Sequence, residues 1–205
     1  MFTGLIREMG EVESYRDNIL TIKAKYSPKI GDSIAVNGVC LTVIDVHSGK
    51  FSVELADETR SIIDESKLQG RVHIEPAMSL GDRFEGHIVQ GHIDTVGEVI
   101  SIQKRENGTD FIIKVEPKYI SYIIPKGSIT IDGVSLTVNS VYKSSFRLTI
   151  ISHTLKETLI GKYKIGTKVN IETDLFARYI EHILAYKGAK TGLSWSEIDQ
   201  IQLTY

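Results

Sequence analysis

The 205-residue sequence predicts a mainly β chain made of two tandem copies of one small domain, followed by a C-terminal α-helix. Three observations predict this: a seven-residue segment written twice, short runs of β-forming residues between turn signals in both halves, and a helical period confined to the tail.

The repeat decides the organisation and is read before any secondary structure. Asn37-Gly38-Val39-Cys40-Leu41-Thr42-Val43 matches Asp132-Gly133-Val134-Ser135-Leu136-Thr137-Val138 at an offset of 95. At the same offset Phe51 lies over Phe146, Leu55 over Ile150 and Thr59 over Thr154. Gly4 and Gly10-Glu11-Val12 match Gly91 and Gly97-Glu98-Val99 at an offset of 87, and Val72-His73-Ile74 parallels Val169-Asn170-Ile171 at 97. Matches in constant order with small changes of offset are what a duplicated domain with loop insertions leaves. The eight extra residues of the second copy are expected in a longer loop around Arg105-Glu106-Asn107-Gly108.

Within each copy the pattern is β. Residues 20–23, 33–36, 40–44 and 51–55 alternate or cluster β-formers between Gly, Asn, Asp and Ser breakers, and residues 111–115, 128–131, 135–138 and 146–151 do so in the second copy. Gly31-Asp32 reads as a turn and Asn37-Gly38 as a hairpin turn of the I′ kind. Several short strands at this spacing favour a small closed barrel over a sandwich. In the tail, apolar residues at 175, 176, 179, 180, 183, 184 and 186 follow the helical period, with Asp174 as N-cap and Gly188 as stop. This helix is either a lid packed on its own barrel or an oligomer contact.

Composition removes several classes of function. The chain is 41% hydrophobic and 24% charged, with 24 basic and 26 acidic residues intermixed. It has no Lys/Arg run, hence no electrostatic footprint for nucleic acid or an anionic membrane. A single cysteine excludes an intrachain disulfide. The first residues lack the basic and apolar regions of a signal peptide, and no apolar stretch approaches the ~18–20 residues needed to span a bilayer. The expectation is a soluble, cytoplasmic protein. No metal signature holds: His87 and His92 sit five apart, and Cys40 has no thiol partner nearby. Neither a P-loop, a dinucleotide fingerprint nor a nucleophile elbow is present.

What remains is a set of small polar groups at equivalent places. Cys40 and Thr42 correspond to Ser135 and Thr137, and in a strand residues i and i+2 point to the same side. Alternating Ser/Thr is also the pattern of a solvent-facing edge, and a lone Cys is also a small buried hydrophobe. The duplication favours a slot for a planar heterocycle. His92, in Gly91-His92-Ile93-Asp94, titrates in the range needed for proton transfer, and it equally suits a structural role at the junction of the copies. Asp174 is a carboxylate candidate as well as a cap. Lys126, in Pro125-Lys126-Gly127, reads by default as a solvated turn lysine.

Four stretches together resemble the alpha-type riboflavin synthase family: Met1-Phe2-Thr3-Gly4-Leu5-Ile6, Asn37-Gly38-Val39-Cys40-Leu41-Thr42, Gly86-His87-Ile88-Val89-Gln90-Gly91-His92-Ile93-Asp94 and Ile131-Asp132-Gly133-Val134-Ser135-Leu136-Thr137. The resemblance runs from residue 1 to about Asp174. It implies two tandem six-stranded antiparallel β-barrels of Greek-key type, each binding lumazine, over residues 1–94 and 95–174. It also implies a C-terminal helix and tail over 175–205 that assemble a homotrimer. The implied reaction transfers four carbons between two molecules of 6,7-dimethyl-8-ribityllumazine, giving riboflavin and 5-amino-6-ribitylamino-pyrimidinedione without a metal or redox cofactor. The C7 methyl of one lumazine loses a proton to give a ring-delocalised carbanion, and the second lumazine is the electrophile. Lumazine synthase is a potential further partner.

Carried over position by position, the first barrel would contribute Gly4, Leu5, Ile6, Ser33, Cys40, Leu41 and Thr42, then Glu54, Leu55, Ala56, Asp57, Glu58 and Thr59. Gly91, His92 and Ile93 would cross from the first copy into the second. The second barrel would contribute Lys126, Ser135, Leu136, Thr137, Ile151, Ser152, His153, Thr154, Leu155, Lys156 and Asp174. The resemblance places the active site between the first barrel of one subunit and the second barrel of its neighbour. Ser135, Thr137 and Asp174 are expected to handle protons on the acceptor side, with Cys40 and His92 on the other face. Two positions depart from the family pattern: Glu85 stands where a second glycine is expected, and Ser152 where a proline is usual. Competing readings are a non-catalytic lumazine- or flavin-binding protein of the same architecture, and a two-barrel adaptor for a peptide or oligonucleotide. The surviving Lys126, Ser135, Thr137 and Asp174 argue against the first; 8% aromatic content without a basic cluster argues against the second.

Overall fold

The computed structural model describes residues 1–190, with side chains through 186. Twelve strands form two closed antiparallel barrels. The first holds β1 (Glu8–Arg16), β2 (Ile19–Lys23), β3 (Ser33–Val36), β4 (Val39–His47), β5 (Lys50–Glu54) and β6 (Arg71–Pro76), in the order β1-β2-β5-β4-β3-β6 with β6 closing on β1. The second repeats that order with β7 (Thr95–Arg105), β8 (Gly108–Lys114), β9 (Ser128–Ile131), β10 (Val134–Val141), β11 (Ser145–Ile150) and β12 (Lys168–Thr173). Helix α1 (Asp57–Ile62) follows β5, and α2 (Ser152–Glu157) follows β11 at the same place. Helix α3 (Leu175–Lys190) ends the described chain. It runs through Gly188, which therefore does not stop it; Asp174 does cap it, accepting the Phe176 N–H at 2.8 Å.

The expected insertion divides in two. Glu11 pairs with Lys23 and Glu98 with Lys114, so the offset has already moved from 87 to 91 within the β7–β8 hairpin, whose arms are longer. The other four residues lie between β8 and β9, where a 3₁₀ turn spans Pro117–Tyr122. Lengthening an antiparallel hairpin adds paired backbone on both arms and leaves no group unsatisfied.

Each barrel encloses an aliphatic core: Leu20, Ile22, Val43 and Phe51 among others in the first, Ile113, Val138, Phe146 and Leu148 in the second. The lead-in segments are exchanged between them. Ile93 precedes β7 yet packs in the first core, and Ile6 precedes β1 yet packs against the second. Between the exchanged leaders, Phe2 and Val89 form a two-bond antiparallel bridge at 2.8 and 3.1 Å.

The two hairpin turns meet on the axis relating the copies. Asn37 (φ 46°) and Gly38 (φ 83°), like Asp132 (φ 47°) and Gly133 (φ 82°), have the doubly left-handed backbone of a type I′ turn. A Cβ on Gly38 would lie 2.6 Å from the Gly133 nitrogen, so only glycine lets the turns touch. Around them lies a buried polar cluster. Asn37 Oδ1 accepts the His73 N–H at 2.9 Å and Asp132 Oδ1 accepts the Asn170 N–H at 2.8 Å. The other Asp132 oxygen takes Lys67 and the Tyr163 hydroxyl. His73 Nδ1 bonds Asp132 O at 2.8 Å and Nε2 accepts the Leu159 N–H at 2.8 Å. That acceptor fixes the neutral Nδ1–H tautomer, and burial holds the imidazole below its ordinary pKa.

Candidate active site

On β4, Leu41 and Val43 point into the core, which turns Cys40, Thr42 and Ile44 outward on one face. Helix α1 and the strap Gly91-His92-Ile93 flank that face. Two clefts of about 380 and 450 Å³ result. They share Cys40 and Thr59, and Glu58, Gly91, His92 and Ile93 line the first while Leu41, Thr42, Glu54 and Ala56 line the second. Such volumes are those of small-molecule sites. The strap is fixed by the Cys40 N–H donating to Gly91 O at 2.8 Å. Gly91 is at φ 79° and a Cβ there would lie 2.6 Å from Cys40 Cβ, so the contact requires glycine. Burial pushes the Cys40 thiol above its usual pKa, with the charge of the N-terminus and then the Ser33 side chain pulling the other way.

The second copy presents the same face with different chemistry. The Ser135 N–H donates to Gly4 O at 2.7 Å, and Gly4 lies against Ser135 as Gly91 lies against Cys40. Gly4 and Ile6 thus pack against the second barrel, and Gly91, His92 and Ile93 against the first. This reverses the sequence assignment, because the leaders exchange. Ser135 Oγ also bonds His87 Nδ1 at 2.7 Å. Burial holds His87 below its ordinary pKa, while the Asp174 charge acts in the opposite direction. Ser135, His87 and Asp174 therefore form one neighbourhood. His92, by contrast, is exposed on the first cleft and makes no hydrogen bond among the described residues.

Lys126 is exposed at φ 67°, where the first copy has Gly31 at φ 91°. A left-handed backbone costs an L-residue roughly 1–2 kcal/mol, and strain of this kind gathers at functional sites. Thr137 is exposed beside Ser135 on the outer face of β10. Ile151 is the N-cap position of α2 and Ser152 its first residue. A proline is tolerated at that first position but not required, and here α2 begins at Ser152 without one. Ser152, Leu155 and Lys156 open onto a different cleft, of about 640 Å³, shared with Phe111 and Tyr163. Glu85 is exposed just before Gly86, whose own φ of 84° and Cβ-to-Thr3 O distance of 2.2 Å account for the glycine that is kept.

Sequence reading missed His87, Glu75 and Glu172. Glu75 accepts the Thr3 and Gly4 N–H groups, and Glu172 those of Gln90 and Gly91. The signal was available: the two glutamates directly follow the matched Val72-His73-Ile74 and Val169-Asn170-Ile171.

Helix α3 is held to the second barrel by Arg178 and by Tyr122, whose hydroxyl donates to Glu181 at 3.3 Å. Phe176, Tyr179, Ile180, Ile183, Leu184 and Tyr186 are all exposed. The helix is therefore not a lid with its apolar side turned onto its own barrel. Among the described residues no helix is long and apolar enough to cross a membrane.

Comparison with known proteins agrees with this geometry. The lumazine binding domain family matches twice, over residues 3–77 and 90–174. The chain is 45% identical to the riboflavin synthase of Actinobacillus pleuropneumoniae over 98% of this chain and 99% of that one. It is 39% identical to that of Bacillus subtilis over 90% of each. In fold it resembles LumP in crystal structures with riboflavin (TM-score 0.74, 22% identity) and with 6,7-dimethyl-8-(1'-D-ribityl) lumazine (TM-score 0.69, 21% identity), each covering 84% of this chain and 99% of LumP. Two closed barrels with matching outer faces, a twice-matched domain and relatives at this identity over nearly the whole chain lead to one statement: the chain belongs to the riboflavin synthase family and carries two lumazine-binding domains.

Proposed function

We propose that this chain is the enzyme that converts two molecules of 6,7-dimethyl-8-ribityllumazine into riboflavin and 5-amino-6-(D-ribitylamino)uracil, the last step of riboflavin biosynthesis. The observation that carries the reading is the pair of matching outer faces on β4 and β10 whose chemistry differs. Each binds one of two identical substrates, and only one has the Ser135–His87–Asp174 neighbourhood.

The substrate supplies its own electron sink, so the protein must chiefly hold two flat rings against each other. Such positioning is worth ~7–11 kcal/mol. Neutral His87 can accept the Ser135 hydroxyl proton, letting Ser135 relay a proton to or from the bound ring, an effect of about 10²–10⁴-fold. Cys40, Thr42 and His92 line the slot for the other ring, with Lys126 near the strained turn of the second copy.

The two slots of one chain lie on different barrels, and the reading places each working site between the first barrel of one subunit and the second barrel of its neighbour. The exposed apolar side of α3 supports a homotrimer as the catalytic unit, acting in the cytoplasm, with lumazine synthase as a potential further partner. The division of labour is then 1–94 and 95–174 for the barrels and 175–205 for assembly, of which residues beyond 190 lie outside the described part.

Incubation of the purified protein with dimethylribityllumazine should produce riboflavin absorbance. Tight binding without riboflavin over hours would instead leave the non-catalytic alternative. Deleting residues 176–205 should lower oligomer order and activity together, and full activity in a monomeric truncation would refute the shared site.

A further inference from the structure

Glu75 on β6 and Glu172 on β12 are buried at matching places, and each grips the leader that crosses to the other barrel's slot. Glu172 accepts the Gln90 and Gly91 N–H groups at 2.8 Å each, and Gly91 O then holds Cys40. Glu75 accepts the Thr3 N–H at 2.8 Å and the Gly4 N–H at 3.1 Å, and Gly4 O holds Ser135.

The grips differ in what stands beside the carboxylate. Glu75 has the Thr3 hydroxyl at 3.0 Å. Glu172 has the guanidinium of Arg178, from the first turn of α3, with Nη2 at 3.5 Å. The same guanidinium donates to Gln90 Oε1 at 3.0 Å and to Asp94 Oδ1 at 3.2 Å, so it spans the strap as well as the carboxylate. At the offset of 97 that relates the two glutamates, the position matching Arg178 is Gly81, which has no side chain to do this.

We propose that Arg178 is a positioning residue for the first-barrel slot: it keeps Glu172 ionised and thereby keeps the Gln90-Gly91 strap, and the Cys40 face it supports, in ligand-binding shape. The proposal rests on the reading that this slot takes a lumazine or flavin ring. An ionised carboxylate accepts both strap N–H groups. A protonated one turns a hydroxyl toward one of them, and donor then meets donor. Burial pushes Glu172 up to about 7, with the two strap N–H groups and Arg178 pulling down and Asp94 pushing up. A further titratable neighbour is the Cys40 thiol on β4, which the Glu172 charge helps to raise and the charge of the N-terminus lowers. Near neutrality the cation 3.5 Å away adds to the two strap N–H groups in favouring the ionised grip. Helix α3 thus carries an apolar surface on one side and, on the other, the charge that sets the first slot.

Cys40 is the chain's one cysteine and lines this slot, so its alkylation reports on the slot directly. The measurement is riboflavin protection of Cys40, taken as the ratio of alkylation rates with and without riboflavin from about pH 5.5 to 8.5. The ratio cancels the thiol's own titration. In the unaltered protein protection should be lost as pH falls through about 7. Arg178→Gln should move that midpoint up by about one unit or more, raising the riboflavin needed at neutral pH by about five- to tenfold. Arg178→Lys, which keeps the charge, should return the midpoint toward its original place. Glu172→Gln should give weaker protection with no midpoint in this range, because an amide can accept only one of the two N–H groups at any pH. If Arg178→Gln follows the unaltered protein at every pH, or loses protection equally with Arg178→Lys and without a midpoint shift, the positioning role is overturned. Absence of protection in the unaltered protein would overturn the ring-binding reading and this inference with it.

Discussion

Replacing Gly91 by alanine tests the contact on which the first slot depends. Gly91 sits at φ 79°, and its added Cβ would stand 2.6 Å from Cys40 Cβ and 2.8 Å from Cys40 N. The backbone conformation alone costs an alanine roughly 1–2 kcal/mol. Carbon atoms pack best near 3.5–4.0 Å, so strap and β4 must separate by about an ångström, and overpacking of this kind adds about 1–3 kcal/mol. A matched control exists in Gly49, which has φ 78° and nothing within 4 Å of the place a Cβ would take. Gly49→Ala should lose only the backbone part. Urea unfolding at constant m-value gives both losses, and riboflavin titration gives the effect on binding. Gly91→Ala should be the less stable by a further ~1–3 kcal/mol and should bind more weakly, with binding unchanged in Gly49→Ala. Equal losses in the two variants would refute the close approach of strap and strand.

Other outcomes follow from the axis cluster and from α3. Asp132→Asn keeps the turn, since the first copy has Asn37 there, but leaves Lys67 without its carboxylate. Urea denaturation should show a loss of about 3–5 kcal/mol, and Asp132→Asn with Lys67→Met should recover part of it. His73 has a folded-state pKa below its ordinary 6.5, so the unfolded chain takes up a proton first. Its contribution to stability is full above that ordinary value and is lost as pH falls below about 6.5; the stability difference between the unaltered protein and His73→Asn should shrink over that window, and a pH-independent difference would contradict the buried neutral tautomer. Ile183→Asp, on the exposed side of α3, should lower the mass seen by light scattering and reduce riboflavin formation in step, while each barrel's strand content by circular dichroism stays as it was.

Strands that bury aliphatic side chains were plain in the sequence, and β3 and β9 coincide with their expected bounds. The strands that escaped notice are β1, β6, β7 and β12, and the reason is physical. On β6 and β12 the inward-facing and interface-facing positions include His73, Glu75, Asn170 and Glu172, all buried. These side chains are spent on joining the copies, which breaks the apolar period that marks a strand. On β7 the buried positions before Val99 are Thr95 and Gly97, small rather than apolar. The Cys40 and Ser135 faces were legible because duplication displays them twice. His87, Glu172 and Arg178 act across 48, 81 and 84 residues of chain, through leaders whose exchange no local pattern records.

That exchange also bears on how the two halves depend on each other. The first core takes its Ile93 from the second half's leader, and the second core takes Ile6 from the first half's. The stretch joining them acts as a tether, turning what would be an encounter between two molecules into a step within one. A first half cut free of it would keep a socket shaped for an incoming leader and would hold a leader of its own with no socket, so two such halves fit one another. The full chain is in that sense a symmetric pair closed into a single molecule. Within one chain the two members need not be identical, and they differ at matching places, with Cys40 on one face and Ser135 on the other.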